Sequence, residues 1–354
     1  MKLKDLKTLT ELNAVPGNES QARVFIANAL TPHVDDVTYD GIGSVIGVKV
    51  GDPKGPKIYM SGHLDEVGFM VSKITKEGFL KVLPLGGWWS QVVLAQQMTV
   101  TTQAGDTYRA VVGSKPPHIL SPEERKKVVD LKDIFLDLGV KGEEKIKALG
   151  IQIGDMVTPY IEFQQMADKK VWLAKAWDNR IGCAIVADVA ANVAKTKTPN
   201  QAYFVATVQE EVGLRGARTT ANKINPDIAF GVDVTVATDY LGGDQDCNFG
   251  EGPAILVYDG GLIGHRGLRK QLLAVAKKNK IPVQISYIPA GATDAGAAHL
   301  AHDGAPSMSL GIPARYIHSH TSMIHQDDYE NAVKLLTEFL KVCDWTMVKT
   351  ITED

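Results

Sequence analysis

Residues 205–217 read VATVQEEVGLRGA, an apolar run of strand type that delivers two adjacent glutamates, Glu210 and Glu211, and then breaks at Gly213. A buried strand would simply end, because an unpaired charge in a low-dielectric interior is costly. Outward from this stretch, strand and helix alternate. IGCAIVADVAANVAK (181–195) has a helical pattern, IAFGVDVTV (228–236) that of a strand, and GLRKQLLAVAKKNK (267–280) that of a helix. VQISYIPAG (283–291), TDAGAAHLAHDG (293–304) and SMSLGIPARYIHSH (307–320) continue as strand, helix and strand, and DDYENAVKLLTEFLKVCDWTM (327–347) closes as a helix. Such alternation predicts an α/β fold with helices on both faces of a central, mostly parallel sheet.

Upstream, MKLKDLKTLTEL (1–12) and NESQARVFIANAL (18–30) read as helices, the second with Asn18 as N-cap and Gln21 in the capping-box position. SVIGVKV (44–50) and KIYMSGHLDEV (57–67) read as strands, the latter apolar almost throughout, as in a strand buried on both faces. From 72 to 166 the texture changes to short β-type runs such as GFLKVLPLG, VVLAQQMTVTT and TYRAVVG, separated by turns. The charged segment SPEERKKVVDLKDIFLDLG (121–139) within it reads as a surface helix and loop. The expected organisation is a discontinuous α/β domain, 1–71 and 167–354, interrupted by a small β-rich domain at 72–166.

The 354 residues carry 38 basic and 41 acidic side chains, a formal charge of −3 with no block of like charge, which leaves no electrostatic footprint for nucleic acid. No apolar run reaches the roughly 18 to 20 residues needed to span a bilayer. Three well-separated cysteines (Cys183, Cys247, Cys343) suggest neither a disulfide framework nor a zinc knuckle, and a reducing cytoplasm fits best.

In open α/β sheets, sites gather outside the carboxyl ends of the strands. Filtering the chain by that rule leaves His63 with Asp65, Asp178, Glu210 with Glu211, Asp233, and His318 with His320. Each alone reads more readily as a structural histidine, a helix cap or a turn residue. Together, several carboxylates at one sheet edge need a strong positive charge to offset their repulsion and desolvation, and a divalent metal supplies it. Imidazole with carboxylate and no thiolate suits catalytic zinc, cobalt or manganese. The ligand count exceeds one tetrahedral ion, so two ions sharing a carboxylate are expected. In HLD, residues two apart share a side of an extended chain, so the Asp65 carboxylate could hold the second ring nitrogen of His63. In QEEVG, neighbouring carboxylates on extended backbone point to different sides, one toward a metal and the other toward a bound water as general base.

These segments, in this order, resemble the cocatalytic-metal aminopeptidases of the tetrahedral and glutamyl aminopeptidase family: GHLDEVGFMV, AWDNRIGC, VQEEVGLRGA, GVDV, GATDAGAAH and ARYIHSH. The resemblance implies that Asp178 bridges two metals, His63 and Asp233 completing one site and Glu211 and His318 the other. It further implies Glu210 as the catalytic base, Asp65 as the partner of His63, peptide substrates, an inserted β-barrel making dimer contacts, and dimers assembled into a tetrahedral dodecamer. An N-terminal Glu or Asp preference rests on likeness to the glutamyl subgroup. Arg266, Arg269 and Lys270 in GHRGLRK are candidate cations for such a side chain, a solvated helix start being the plainer reading.

Other features weigh less. GIGSVIG (41–47) has the wrong spacing for a dinucleotide loop, and DQDCNFGE (244–251) lacks a calcium loop's glycine and glutamate positions. Trp88 and Trp89 in GGWWSQ could pack a core, line an oligomer contact or wall a substrate entrance. The rival functions are a carboxypeptidase or N-acyl amino acid deacylase with two zinc ions, a metal-independent glycosidase with two flanking acids, and a binding module without activity.

Overall fold

The computed structural model describes residues 1–354. After helices α1 (Leu3–Glu11) and α2 (Ser20–Leu30) come strands β1 (Asp36–Tyr39), β2 (Val45–Val50) and β3 (Lys57–His63). Six strands follow: β4 (Gly68–Ile74), β5 (Phe79–Leu85), β6 (Gln97–Thr101), β7 (Thr107–Gly113), β8 (Phe135–Asp137) and β9 (Met156–Pro159). Two short helices, α3 (Pro122–Arg125) and α4 (Glu143–Ala148), interrupt them. The chain then returns through β10 (Gln164–Gln165), β11 (Val171–Ala174), α5 (Trp177–Val193), β12 (Gln201–Thr207), α6 (Arg215–Ile224) and β13 (Ile228–Val236). Next are β14 (Ala254–Leu256), the hairpin β15 (Tyr258–Asp259) and β16 (Leu262–Ile263), α7 (Arg266–Lys278), β17 (Gln284–Ser286) and α8 (Asp294–Ala298). The end is β18 (Ser307–Arg315), β19 (Ser322–His325), α9 (Gln326–Val342) and α10 (Trp345–Thr352).

The main sheet has 11 strands in the path β1-β2-β12-β3-β13-β18-β19-β11-β10, with β14 and β17 branching from β18. Its centre is parallel from β12 through β3 and β13 to β18, and the flanking strands, apart from the β14–β17 pair, join antiparallel. The expected α/β architecture therefore holds, with its parallel character concentrated where the apolar runs are longest. Period-two alternation splits the central strands β3, β12 and β13 between two cores. Ile58, Met60, Phe204, Phe230 and Val232 join a 52-residue cluster that includes side chains of α1, α2, α5, α7, α9 and α10. Tyr59, Val205 and Ala229 face a smaller cluster with Ala221 and Ile224 of α6 and Ala298 of α8.

Helix α5 lies unusually close to β3. A Cβ on Gly62 would stand 2.4 Å from the Gly182 carbonyl carbon, and one on Gly182 would stand 2.3 Å from the Val232 oxygen. Only glycine permits this approach, which brings the start of α5 to the ends of β3 and β13.

The segment between β3 and β10 closes into a barrel of order β4-β5-β8-β7-β6-β9 around 14 buried apolar side chains. Residue 72, expected as a domain boundary, lies inside β4, and Gln164–Gln165, placed within the insert, pair with β11 in the main sheet. Two local readings are corrected. Helix α2 begins at Ser20 with Glu19 in the cap position rather than Asn18, because Glu19 turns its side chain back to accept the Gly17 amide. Of SPEERKKVVDLKDIFLDLG, only Pro122–Arg125 is α-helical, and Phe135–Asp137 is barrel strand β8, paired with β5 and β7.

Candidate metal centre

Strands β3 and β12 run in parallel register with His63 opposite Thr207, so both end at the same level. Beyond Thr207 the backbone is no longer extended: Gln209 has φ 55° and the chain turns. Glu210 and Glu211 diverge through this turn rather than through strand pleating, a correction to the extended-chain expectation. The turn is held by carboxylates. Asp65 accepts the Glu210 amide on Oδ1 and the Glu211 amide on Oδ2, both at 3.1 Å, and Glu19 Oε1 accepts the Gln209 amide at 3.1 Å and the Gly17 amide at 2.7 Å.

Asp65 thus does a different job from the one its spacing suggested. The His63 ring donates through Nδ1 to the Asp65 backbone carbonyl at 2.9 Å, while the Asp65 carboxylate stays 3.8 Å from that nitrogen. His318, at φ 55° in the β18–β19 connection, donates from Nδ1 to the Gly87 carbonyl at 2.7 Å. In both rings the Nδ1 proton is committed to a backbone oxygen, so Nε2 is the nitrogen turned toward the acids.

Asp178 stands between the rings at the non-helical start of α5, one oxygen 3.1 Å from His63 Nε2 and the other 3.3 Å from His318 Nε2. Glu210 and Asp233 lie 3.7 and 3.8 Å from His63 Nε2, and Glu211 lies 3.7 Å from His318 Nε2. The acids and the two imidazoles therefore form two overlapping clusters, and two compact donor sets fall within them: His63, Glu210 and Asp233, and His63, Asp178 and Glu211. All seven residues singled out as site residues are brought together. His320 is not: it faces a neighbouring cavity on the far side of His318.

The electrostatics are those of an acid cluster short of positive charge. Burial, opposed by His63, pushes the Glu210 carboxyl well above its ordinary range, and burial does the same to Asp233. Burial and the charge of Asp178 lift Glu211 to about 8. Burial also opposes the Asp178 carboxylate, but hydrogen bonds from His318 and His63 outweigh it and hold the group below its usual range. For His318, burial opposes the imidazolium and Asp178 prevails, pushing it up to about 10. No lysine or arginine lines the cavity of about 470 Å³ around these groups, whose walls include Leu214, Ile288, Ala292 and Ile317. Glu211 Oε1 is buried without a hydrogen-bond donor. Nitrogen and oxygen donors this close, with an orphaned carboxylate oxygen among them, fit divalent cations.

Two acids escaped sequence reading. Glu19, 6% exposed, is the second support of the glutamate turn, and burial followed by the charge of Asp65 raises it to about 7. Asp294 is buried beside the centre, accepts the Thr207 hydroxyl at 2.7 Å, and leaves Oδ1 unpaired. Its signal was the aspartate in GATDAGAAH; Glu19 gave none, since its partner lies 190 residues away. Arg266, Arg269 and Lys270 do not line the cavity: they start α7, and Lys270 pairs with Asp354 at 2.5 Å.

A parallel sheet edge that concentrates imidazoles and carboxylates beside an open cavity is the kind of site on which metal-dependent hydrolases work. Among them, this chain belongs to the M42 glutamyl aminopeptidase family, whose pattern matches residues 43–335. It is 38% identical over 333 residues to a glutamyl aminopeptidase of Lactococcus lactis subsp. cremoris (94% of this chain, 93% of that protein), and 32% identical over 349 residues to a lysyl aminopeptidase of Pyrococcus furiosus (96% and 98%). The fold superposes on a TET aminopeptidase from a marine sediment thaumarchaeon with TM-score 0.96, 39% identity and 99% coverage of both chains. It also superposes on the Pyrococcus horikoshii TET1 peptidase, which can assemble into a tetrahedron or a large octahedral shell, with TM-score 0.86, 28% identity and coverage of 96% and 99%. The chain is an aminopeptidase-type hydrolase of a metal-dependent family. No helix is long and apolar enough to cross a membrane.

Proposed function

We propose that this chain removes N-terminal residues from peptides using two divalent ions, zinc in the first instance and cobalt or manganese as alternatives. His63 and Asp233 would hold one ion, Glu211 and His318 the other, and Asp178 would be shared. The ions would lower the pKa of a bound water and polarise the scissile carbonyl. Glu210 takes the attacking water's proton and passes it to the leaving amine nitrogen; it would start ionised beside the positive charge of the ions, and its burial then favours holding the proton it takes up. Asp65 positions both glutamates through their amides and His63 through its carbonyl. The observation that carries this reading is Asp178 with one oxygen on each imidazole.

A second assignment has its own support: Glu210 groups with His63 and Asp233 as compactly as a direct ligand would. Metal analysis of Glu210→Gln separates the two. A base would leave two ions per chain, whereas a ligand would leave fewer.

The finer proposal of N-terminal Glu or Asp preference is supported by the Lactococcus relative, while the Pyrococcus furiosus relative is lysyl. With no basic side chain of this chain in the cavity wall, the charge opposing an acidic substrate would come from the ions or a neighbouring subunit. Side-by-side hydrolysis of Glu-, Asp-, Leu- and Lys-p-nitroanilides tests it, and a clear preference for leucine rejects it. N-acylated and C-terminal substrates test the deacylase and carboxypeptidase alternatives. Activity that survives chelation would favour the glycosidase. A tetrahedral dodecamer built through barrel contacts, and a cytoplasmic location, complete the proposal. Light scattering on the purified protein tests the assembly.

A further inference from the structure

A second cavity, of about 480 Å³, adjoins the catalytic one across a shared wall of Ile317 and His318. One bank is the barrel connection carrying Trp89, Gln91 and Gln96, and the other is the β18–β19 connection from Tyr316 to Thr321. The Gly87–His318 hydrogen bond ties the banks together, and left-handed backbone at Tyr316 (φ 63°) and His318 (φ 55°) sets the shape of the second. Two large aromatic residues are left open to solvent here, Trp89 at 60% and Tyr316 at 59% exposure. Trp88, by contrast, is spent on the barrel, stacked on Phe69 at 5.0 Å with its indole N–H on the Gly68 carbonyl. Among the same lining residues, His320 Nδ1 and Thr321 Oγ1 are buried without a hydrogen-bond partner.

We infer that this cavity is the subsite for the substrate residue that follows the scissile bond, and that it favours an aromatic or large apolar side chain there. The inference rests on the aminopeptidase reading. An aminopeptidase has nothing to accommodate ahead of the first residue, so the chain beyond the cleaved bond must leave past the more open side of the centre. His318 is that side: it is 40% exposed, whereas His63 is 1% exposed. A peptide whose scissile carbonyl lies between the imidazoles meets the second cavity directly after His318. The exposed Trp89 and Tyr316 rings offer stacking faces to that side chain.

The test compares two dipeptides sharing the best first residue, Xaa-Gly and Xaa-Phe, on the intact oligomer. KM for Xaa-Phe should be about fivefold below that for Xaa-Gly, the size of one aromatic contact, with kcat similar. Trp89→Ala should erase most of that ratio by raising KM for Xaa-Phe, and Trp89→Phe should restore it. p-Nitroanilides, whose leaving group is aromatic, should follow Xaa-Phe. An unchanged KM ratio in Trp89→Ala overturns the subsite. So does a change of oligomer mass with the ratio intact, which would make Trp89 a contact between copies. Release of no free amino acid from either dipeptide would instead sink the aminopeptidase reading itself.

Discussion

The main sheet and the barrel bury very different residues. The barrel closes over 14 apolar side chains, and its one buried carboxylate, Asp155, sits at a turn where it accepts the Gln152 amide. The parallel edge of the main sheet buries His63, Asp65, Glu210, Asp233 and Asp294 within one neighbourhood. Apolar burial stabilises by about 25 cal/mol per Å², whereas closely packed carboxylates oppose folding unless a cation joins them. The contrast teaches where stability and chemistry lie: the barrel is built for packing, and the sheet edge gives up stability to hold charge. That edge is supported by the 52-residue cluster beneath it and by a buried network in which Lys175 and Arg180 meet Glu66 at 2.5 and 3.3 Å.

Metal removal should widen this contrast most. Chelation is expected to lower peptide hydrolysis by about a thousandfold or more and to lower the melting temperature, since ions that bind only the folded chain stabilise it by mass action. Zinc, cobalt or manganese should restore both. Full activity in chelator, with metal content read by mass spectrometry, would break the comparison at its base. Glu210→Gln comes next, with kcat down by about 10² to 10⁴ while two ions remain bound; turnover close to that of the parent would remove Glu210 from its role.

The barrel should respond in the opposite sense. Leu136→Ala empties part of its core and should cost about 2–5 kcal/mol on denaturation, with kcat per folded chain within about twofold. A drop in kcat as large as that of Glu210→Gln would show that barrel and sheet edge are not separable.

The smallest effect concerns Glu19. Burial, then the charge of Asp65, raises its carboxyl from 4.5 to about 7. The folded chain therefore holds that proton more tightly than the unfolded chain, and stability contributed by this group is lost as pH rises from about 4.5 through about 7. Glu19→Gln removes the ionisation and keeps an oxygen for the Gly17 and Gln209 amides. It should be the more stable protein at pH 7.5, by about 1–3 kcal/mol, with the difference gone near pH 4.5. Denaturation curves at the two pH values check this, and a constant difference would show that the carboxylate is not titrating where it sits.

How much was legible can be read from Glu210 and Asp65. The strand ends carrying His63, Glu210 and Asp233 were visible, because apolar periodicity marks where a buried strand stops and ionisable residues there stand out. The barrel was visible as a change of texture, although β8 was hidden in a charged segment because its pairing with β5 and β7 is non-local. The direction of side chains past the last paired residue was not visible. Asp65 faces the Glu210 and Glu211 amides rather than His63 because the chain has left the pleat by then.

The sequence by itself determined the α/β alternation, the inserted β-rich unit and which ionisable residues stand near the strand ends, since these follow from local pattern and residue chemistry. Tertiary structure alone decided that Asp178 meets both imidazoles, that Glu19 steadies a turn 190 residues away, and that His320, two residues from His318, belongs to a different cavity. Those facts depend on which strand ends stand side by side and on left-handed backbone at single residues, and neither leaves a periodic trace in the chain.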